Sequence, residues 1–325
     1  MILLTGGTGL IGSHVLERMR AGGLPVRCLV RPKAGRTLDA ASLGATEVVA
    51  GDLETGAGLR EALLGVEAVI HLAGVTKALR PEEYYEGNVN ATASLLLAMA
   101  GSGVRLIHVS SLAAIGPAKL ATRPIGEDAE PHPLTNYGKS KLEGERLVRV
   151  TYPDAVIVRP PVVYGPRDTD VFQILKPVAK GWSIEIQGGE RWFSAIYAGD
   201  LAAGLVSLAS SQAGTGRTYF MAHEQPVSWS GLAACAARLM GVKLRVVRIL
   251  PELALAVGAC AEAWAWIVRK PSIVSREKIA EGLCAAWTCD TARAREELGF
   301  EAQTDLEHGL AKTLAWYKEA GWLTY

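Results

Sequence analysis

A glycine-rich stretch between the first strand and the first helix constrains the fold more than any other part of this chain. Residues 1–12 read Met-Ile-Leu-Leu-Thr-Gly-Gly-Thr-Gly-Leu-Ile-Gly, an apolar run that leads into glycines spaced G-x-x-G-x-x-G. A helical pattern follows from Leu10. Strand, glycine turn and helix in this order are typical of a dinucleotide-binding site, because the turn and the helix N-terminus offer backbone N–H groups to phosphates.

Each of the three spaced glycines has its own expected role. Gly6 is expected to allow the tight turn, Gly9 to let the backbone approach a pyrophosphate, and Gly12 to let the helix pack closely on the strand. With Leu10 and Ile11 between them, these residues form the first part of the predicted cofactor site.

Charge and cysteine content narrow the class of protein. The 325 residues carry 34 Lys and Arg against 33 Asp and Glu, so nothing points to nucleic acid or anionic lipid. Cysteines 28, 235, 260, 284 and 289 lack C-x-x-C spacing and predict reduced thiols in a cytoplasmic protein. Met1–Leu4 is apolar but lacks the basic region and cleavage site of a signal peptide, so no leader is expected.

One long apolar segment needs a separate interpretation. Residues 249–268 are apolar apart from Glu252 and Glu262. Two carboxylates near the centre of a bilayer would be costly, so we expect a buried helix that acts as an apolar lid, and no membrane span.

Strands and helices alternate along the first half of the chain. Apolar runs at 1–4, 25–31, 46–52, 68–74 and 104–111 predict strands, with helical patterns between them. This alternation predicts an α/β fold with a doubly wound parallel sheet of the Rossmann type. We expect a dinucleotide-binding domain at 1–166, which also receives segments near 195–222, and a smaller substrate-binding domain at 167–325.

His71 and His108 lie within strand patterns and are interpreted as core histidines with satisfied ring nitrogens; no metal-ligand spacing is found.

The end of the second strand bears on the choice of cofactor. Enzymes that use NAD usually carry an acid there for the ribose hydroxyls, whereas this chain has Arg31, followed by Lys33 and Arg36. A guanidinium would bind the 2′-phosphate of NADP. The sequence therefore favours NADP over NAD, with a solvated basic loop as the alternative interpretation.

A serine, a tyrosine and a lysine form the predicted catalytic set. Ser111 follows a strand, where open α/β sheets place their ligands. Tyr137 and Lys141 are four residues apart at the start of a helical pattern and share one helix face. A neighbouring ammonium lowers the pKa of a phenol, which would suit Tyr137 as an acid or base near neutral pH.

Taken together, these motifs resemble the extended short-chain dehydrogenases/reductases, the group that includes the sugar-nucleotide epimerases and dehydratases. The matching segments stand in family order at 5–12, 51–53, 71–74, 88–92, 109–111, 137–141 and 159–166. The chain departs from the family pattern at Gly74, where alanine is usual, at Ala91, and at 114–116, where an aromatic residue is lost.

The resemblance implies roles for individual residues. Asp52 and Leu53 would contact the adenine, Leu72, Ala73 and Gly74 the ribose and pyrophosphate, and Pro160 would also lie at the cofactor. Asn88 would support the surroundings of the catalytic helix. Ser111 would bind the substrate oxygen, Tyr137 would be the acid/base, and Lys141 would hold the nicotinamide ribose.

The second half of the chain carries weaker signals. Arg191 matches an arginine that binds a nucleotide diphosphate in the epimerases, and pairing with a carboxylate is an equal alternative. The C-terminal segments resemble reductases that act on hydrophobic alcohols and ketones.

Three functions remain open from the sequence. The first is an NADP-dependent oxidoreductase for a small, hydrophobic carbonyl or alcohol substrate. The second is a sugar-nucleotide epimerase or dehydratase that retains NAD, and the third is a non-enzymatic sensor or scaffold, disfavoured by the intact catalytic set. A homodimer is the expected assembly, and the substrate itself is not specified by these motifs.

Overall fold

The computed structural model describes residues 1–32, 40–271 and 274–325. Its strands are β1 (Ile2–Thr5), β2 (Val26–Val30), β3 (Glu47–Ala50), β4 (Ala68–His71), β5 (Arg105–Val109), β6 (Val156–Arg159), β7 (Val162–Tyr164), β8 (Trp182–Ile186), β9 (Trp192–Phe193), β10 (Ala195–Tyr197), β11 (Thr218–Phe220), β12 (Val227–Ser228), β13 (Arg245–Ile249) and β14 (Ala286–Trp287). Its helices are α1 (Leu10–Ala21), α2 (Ala40–Leu43), α3 (Leu59–Ala62), α4 (Pro81–Tyr85), α5 (Ala91–Met99), α6 (Asn136–Thr151), α7 (Asp170–Val178), α8 (Ala198–Ala209), α9 (Trp229–Met240), α10 (Pro251–Val268), α11 (Arg276–Leu283), α12 (Ala292–Leu298) and α13 (Leu306–Glu319). A π-helical turn (Glu86–Asn90) joins α4 to α5, and a 3₁₀ turn (Leu112–Ala114) follows β5.

Within the described residues, seven parallel strands form the central sheet in the order β11-β6-β5-β4-β1-β2-β3. The predicted doubly wound parallel sheet is confirmed. The chain order reverses between β1 and β4, and in such sheets ligands bind beyond the carboxyl ends of the strands at this reversal. The glycine turn follows β1, and Leu72–Gly74 follow β4.

Both faces of the sheet are covered, which explains the unbroken apolar strands. Along β1, Ile2 and Leu4 enter the core shared with α1 and α8, whereas Leu3 enters the core shared with α3 and α5. Alternate residues of a strand point to opposite faces, so one short strand serves two cores. From the later sequence, β11 joins the sheet edge and α8 packs on α1.

The remaining elements form a separate hydrophobic core. Leu175 of α7, Phe193 of β9, Ala236 of α9 and Leu314 of α13 are buried together. The division of the chain at residue 166 into two domains stays a prediction.

The apolar segment predicted to be buried is a helix, but its burial was predicted wrongly. In α10 only 17% of the helix is buried, and by length and composition alone it could cross a membrane. The reason is that α10 packs on one side only, against α11, while most of its apolar side chains face outward.

Candidate active site

The glycine turn after β1 is shaped by close backbone contacts. Gly6 has φ +75°, and a Cβ there would lie 2.7 Å from the amide nitrogen of Ala73. A Cβ on Gly12 would lie 2.3 Å from the carbonyl oxygen of Gly6. At Gly9 only the Gly6 oxygen lies within 4 Å, at 3.3 Å. Steric contact therefore requires glycine at positions 6 and 12. Gly9 faces open space on the side where a Cβ would lie, apart from the Gly6 oxygen.

The start of α1 suits an anion. Gly9 is the N-cap residue, and no side chain within the described residues caps this end of the helix. The first N–H groups of α1 are thus available beside the open face of Gly9, as a pyrophosphate requires. Leu10 and Ile11 are half-buried in this first turn.

A cleft of about 180 Å³ lies at the carboxyl ends of β1, β2 and β3. It is lined by Thr5, Gly6, Gly7, Thr8, Leu29, Val30, Arg31, Gly51, Leu53 and Ala73. The cleft brings together four residues predicted from sequence, Gly6, Arg31, Leu53 and Ala73. The other predicted cofactor residues lie outside its lining: Gly9, Leu10, Ile11, Gly12, Asp52, Leu72, Gly74, Pro160, Tyr137 and Lys141.

Arg31 is held by acidic neighbours that the sequence did not indicate. Its side chain is 52% exposed, donates to Glu54 Oε1 at 2.9 Å, and lies with Nε 3.5 Å from Asp52 Oδ2. The end of β2 itself carries no acid, but a segment following β3 folds back beside it and brings Asp52 and Glu54 to Arg31. Lys33 and Arg36 lie outside the described residues.

Tyr137 stands at the first turn of α6, packed against the turn that follows Ser111. Thr135 caps α6 by accepting the N–H of Gly138 at 3.1 Å. A Cβ on Gly138 would lie 2.4 Å from the carbonyl oxygen of Ala113, so the helix start and the 3₁₀ turn are in close contact. This packing places Tyr137 close enough to Ser111 for the serine side chain to lower the pKa of the phenol.

The pKa of Tyr137 is raised, contrary to the sequence-based expectation. Burial is the main cause; the hydrogen bond with Ser111 and the charge of Lys278 lower the pKa by less than burial raises it. Lys141, predicted to lower the pKa of the phenol, instead donates to the carbonyl oxygen of Val109 at 2.8 Å. At neutral pH the phenol is therefore protonated.

Lys141 is itself strongly perturbed. Burial lowers the pKa of its ammonium to about 8, although the nearby Glu145 carboxylate raises it. Glu145 in turn forms a buried, bidentate pair with Arg159 at 2.8 and 2.7 Å. The carbonyl of Pro160, which follows β6, accepts the N–H of Leu112 at 2.9 Å and ties β6 to the Ser111 turn.

Asn88 connects the loop after β4 to α6. Its amide nitrogen donates to the Val75 carbonyl and to Ser140 Oγ, both at 2.9 Å. Its Oδ1 accepts the N–H of Val75 at 2.8 Å. A Cβ on Gly74 would lie 2.6 Å from that Oδ1, which accounts for glycine where the family has alanine.

A chain of hydrogen bonds leads from the glycine turn to Asn88. Thr92 donates its hydroxyl to the Asn88 carbonyl at 2.7 Å, so its oxygen must accept from His71 Nε2 at 3.1 Å. His71 then carries its proton on Nε2, and Nδ1 accepts from the Thr5 hydroxyl at 2.8 Å. Burial, with a smaller effect of the Lys141 charge, lowers the pKa of His71 to about 3.

His108 departs from the expectation of a satisfied core histidine. It is buried beside His71, with ring centroids 5.4 Å apart. Neither of its ring nitrogens has a hydrogen-bond partner in the part of the chain that the structure describes. Burial is also the main cause that lowers its pKa, and the imidazole is neutral.

Helix α11 covers the start of α6. Glu277 accepts from the side chain of Asn136 at 2.7 Å, and Glu281 accepts from the Thr135 hydroxyl at 3.0 Å. Between them, Lys278 places its ammonium 5.7 Å from the ring centroid of Tyr137.

Two neighbours of Tyr137 were missed from the sequence. The ring of Tyr84, from α4, lies 6.3 Å from that of Tyr137. Lys278, from the C-terminal half of the sequence, places its ammonium 5.7 Å from the centroid of the same ring. No local motif marks either residue, because only tertiary packing brings α4 and α11 to α6.

Arg191 lies apart from this set. Its guanidinium donates to the carbonyl oxygens of Ile186 at 2.6 Å, Gln187 at 2.9 Å and Gly189 at 3.0 Å. No carboxylate pairs with it among the described residues, where the guanidinium instead organises its own loop through these carbonyl contacts. The diphosphate role stays a prediction.

No cluster of three or more metal-ligating side chains is found within residues 1–32, 40–271 and 274–325. A glycine turn at the sheet reversal, with Ser111, Tyr137 and Lys141 beyond the neighbouring strands, defines a class: Rossmann-fold enzymes that use a nicotinamide dinucleotide.

Comparison with known families completes the identification. The chain belongs to the NAD dependent epimerase/dehydratase family, whose model matches residues 2–222. The resemblance to extended short-chain dehydrogenases/reductases is confirmed.

Individual relatives span nearly the whole chain. It is 31% identical to a ceramide reductase of Caulobacter vibrioides over 99% of this chain and 96% of the relative. It is 26% identical to the N-acetyl-alpha-D-glucosaminyl-diphospho-ditrans,octacis-undecaprenol 4-epimerase of Escherichia coli O157:H7, over 96% of this chain and 94% of that protein. Among solved structures, MoeE5 in complex with UDP-glucose and NAD matches with a TM-score of 0.76 and 25% identity, covering 98% of this chain and 99% of that chain.

Proposed function

We propose that this protein is a reductase that transfers a hydride from a nicotinamide dinucleotide to the carbonyl of a hydrophobic, lipid-like substrate. The observation that carries the proposal is the protonated Tyr137 phenol, whose pKa is raised by burial, on the helix that packs against the Ser111 turn at the carboxyl edge of the sheet. A carbonyl that receives a hydride needs a proton donor, and a phenol whose pKa is raised keeps its proton at neutral pH.

In this proposal the bound nicotinamide supplies the hydride. Ser111 donates a hydrogen bond to the substrate oxygen, which polarises the carbonyl and fixes its position. Tyr137 then gives its phenolic proton to that oxygen as negative charge develops there. The phenolate left behind is stabilised by the Lys278 ammonium, 5.7 Å from its ring centroid, until a proton returns from solvent.

The cofactor fits the backbone around the first turn. The open side of Gly9 and the uncapped N-terminus of α1 would hold the pyrophosphate, and the cleft lined by Arg31 and Leu53 would hold the adenosine. Lys141, beside Gly74, would reach the nicotinamide ribose when it releases the Val109 carbonyl.

We further propose that the cofactor is NADP. Arg31 is partly engaged by Glu54 and Asp52, but half-exposed ion pairs contribute only about 0–1 kcal/mol. A charge-assisted bond to the 2′-phosphate contributes about 1.5–3 kcal/mol, enough to displace these ion pairs.

We also propose that the protein is cytoplasmic. Its five cysteines are all unpaired, which supports this proposal.

A hydrophobic substrate is supported by the relative that reduces ceramide, at 31% identity over nearly the full length. The second candidate is epimerisation of a lipid-linked sugar with retained NAD, which the undecaprenol-linked relative supports. The acids beside Arg31 also favour this alternative, since enzymes that use NAD usually carry an acid at this place to bind the ribose hydroxyls.

One experiment separates the two candidates. The purified protein is incubated with NADPH and a long-chain 3-ketone, and oxidation of NADPH is followed at 340 nm while the alcohol is quantified by mass spectrometry. The reductase proposal expects one alcohol per NADPH consumed. It fails if NADPH is not consumed and the denatured protein releases stoichiometric NAD, which is the result expected for an epimerase.

A further inference from the structure

Helix α10 presents an unusually large apolar surface to the outside. Trp264, Trp266 and Ile267 are 64%, 63% and 73% exposed, and Leu253 and Val257 are 54% and 51% exposed. Soluble proteins rarely leave so many large apolar side chains exposed on one element, so this surface indicates a partner.

The contacts of α10 with the rest of the protein use small residues. Ala254, Gly258 and Ala265, at spacings of four and seven, are the buried positions of the helix. A Cβ on Gly258 would lie 3.2 Å from the amide nitrogen of Arg276, so α10 is seated closely against the start of α11. The large side chains thus remain on the outward sides.

The carboxylate in the middle of the helix does not face outward. Glu262 accepts the N–H of Arg276 at 2.8 Å and its Nε at 2.7 Å. The other acid, Glu252, lies in the first turn. Along α10, which the structure describes completely, the outward surface from Leu253 to Val268 therefore carries no charged side chain.

The end of the helix changes character abruptly. Trp264 and Trp266 lie in its last turns, and the exposed cations Arg269 and Lys270 follow at once. Tryptophan beside Lys or Arg at the end of an apolar helix is the pattern of elements that lie at a membrane–water interface. The near-zero net charge of the whole chain concealed this local arrangement.

We propose that α10 docks on the surface of an anionic lipid bilayer, with its outward apolar side chains in the headgroup–acyl boundary and Arg269 and Lys270 at the lipid phosphates. The helix lies in the plane of the interface and does not span the bilayer. Spanning would uncover the buried Ala254, Gly258 and Ala265 and expose the Glu262 ion pair to hydrocarbon.

This surface is one helix away from the candidate active site. α10 packs on α11, and α11 carries Lys278 over the ring of Tyr137. Docking would thus hold α11, the helix that covers Tyr137, close to the lipid surface. The inference stands independently of the reductase proposal, because binding to vesicles needs neither substrate nor turnover.

The test is sedimentation with vesicles of phosphatidylcholine, with and without phosphatidylglycerol. The variant W264E/I267E places two charges on the apolar surface and is expected to weaken vesicle binding at least tenfold. The matched control L97E/V150E makes the same kind of change at two other exposed apolar residues, 79% and 82% exposed, and is expected to bind like wild type. R269S/K270S should lose about fivefold per cation on anionic vesicles only.

Thermal melts and NADPH titration show whether each variant is folded, and R269S/K270S tests the proposal even if W264E/I267E does not fold. Wild-type protein that fails to sediment with anionic vesicles overturns the proposal, as does equal loss in L97E/V150E. A wild-type dimer that W264E/I267E converts to monomer, without vesicle binding, assigns the surface to a second copy. Resistance of the cellular protein to alkaline carbonate extraction assigns it to a membrane span.

Discussion

Lys278 lies over the ring of Tyr137, with its ammonium 5.7 Å from the ring centroid, although the two residues stand on different helices far apart in the sequence. The ammonium is held by Glu281 Oε2 at 2.7 Å. Burial alone would lower the pKa of Lys278, but Glu281 and the phenol of Tyr137 raise it, so the charge persists at neutral pH. The covering helix α11 thus contributes to the electrostatics of the site that it closes.

Removal of this charge should move the pH dependence of turnover. In Lys278→Met the pKa of Tyr137 rises further, because the Lys278 charge is one of the effects that lower it. The alkaline limb of the kcat/KM profile is expected to move to higher pH, with less than about fivefold loss at neutral pH, because the Lys278 side chain is 45% exposed and solvent screens its charge. Lys278→Arg should restore the profile.

Lys139→Met provides the matched control, since it removes an exposed ammonium from α6, the helix that carries Tyr137. Its profile is expected to coincide with that of the wild type. An unshifted alkaline limb in Lys278→Met would show that the ammonium does not act on the phenol.

Tyr137→Phe removes the proposed proton donor and little volume. Turnover is expected to fall by about 10²–10⁴-fold, as for loss of a general acid, while NADPH binding measured by fluorescence remains within a few-fold of wild type. Tyr84→Phe is the control, because its ring lies 6.3 Å from that of Tyr137 and it loses the same hydroxyl. Equal losses in the two variants would contradict the assignment of Tyr137.

The sheet and its motifs could be predicted because their signals are local. The glycine spacing, the apolar strands and the Tyr137–Lys141 spacing each reside within a few residues, and the structure places them at one edge of the sheet. The 17% burial of α10 could not be predicted, because length and composition do not distinguish an apolar helix packed all round from one packed on a single side.

Electrostatic relationships were the least predictable part of the site. Lys141 was expected to lower the pKa of Tyr137, but the ammonium is directed to the Val109 carbonyl and burial dominates the phenol. Likewise, the sequence near Arg31 contains no acid, yet the segment after β3 brings Asp52 and Glu54 to it. Such effects depend on depth and on distant neighbours, neither of which a motif encodes.

The cofactor preference can be tested on both partners of the Arg31 ion pair. Arg31→Asp should reverse the preference from NADPH to NADH, because an acid repels the 2′-phosphate and accepts the ribose hydroxyls. Glu54→Gln should tighten NADPH binding by up to about fivefold, since it frees the guanidinium from a half-exposed pair, and should leave NADH nearly unchanged.

Titrations at low and high salt give the two dissociation constants for each variant. The NADPH preference should weaken with salt, because the site is half exposed. Tighter binding of NADH by the wild type, or an unchanged ratio in Arg31→Asp, would contradict the NADP proposal.

The paired histidines His71 and His108 should make the protein acid-labile. Burial lowers the pKa of both below that of an unfolded histidine, to about 3 for His71. The folded state thus keeps them neutral while the unfolded state takes up protons below about pH 6.5. The contribution of His71 to stability is complete above that pH and is lost as the pH falls toward 3, at about 1.4 kcal/mol per pH unit, and His108 adds a loss in the same direction.

Substitution by leucine should affect the two residues in opposite directions at pH 7. His108→Leu removes two buried nitrogens that have no partner within the described chain, so the free energy of unfolding should rise by about 1–3 kcal/mol. His71→Leu leaves the Thr5 hydroxyl without its acceptor and should lower the free energy of unfolding by a similar amount. In either variant the free energy of unfolding should fall less steeply with decreasing pH, because one of the two buried histidines is gone.

Urea denaturation between pH 4.5 and 8 measures both the offset at neutral pH and the slope in acid. A His108→Leu protein that is less stable than wild type at pH 7 would show that the ring nitrogens of His108 are satisfied in solution, for example by a buried water. An unchanged acid slope in both variants would place the acid-sensitive groups elsewhere, with His14 the next to test because burial also lowers its pKa.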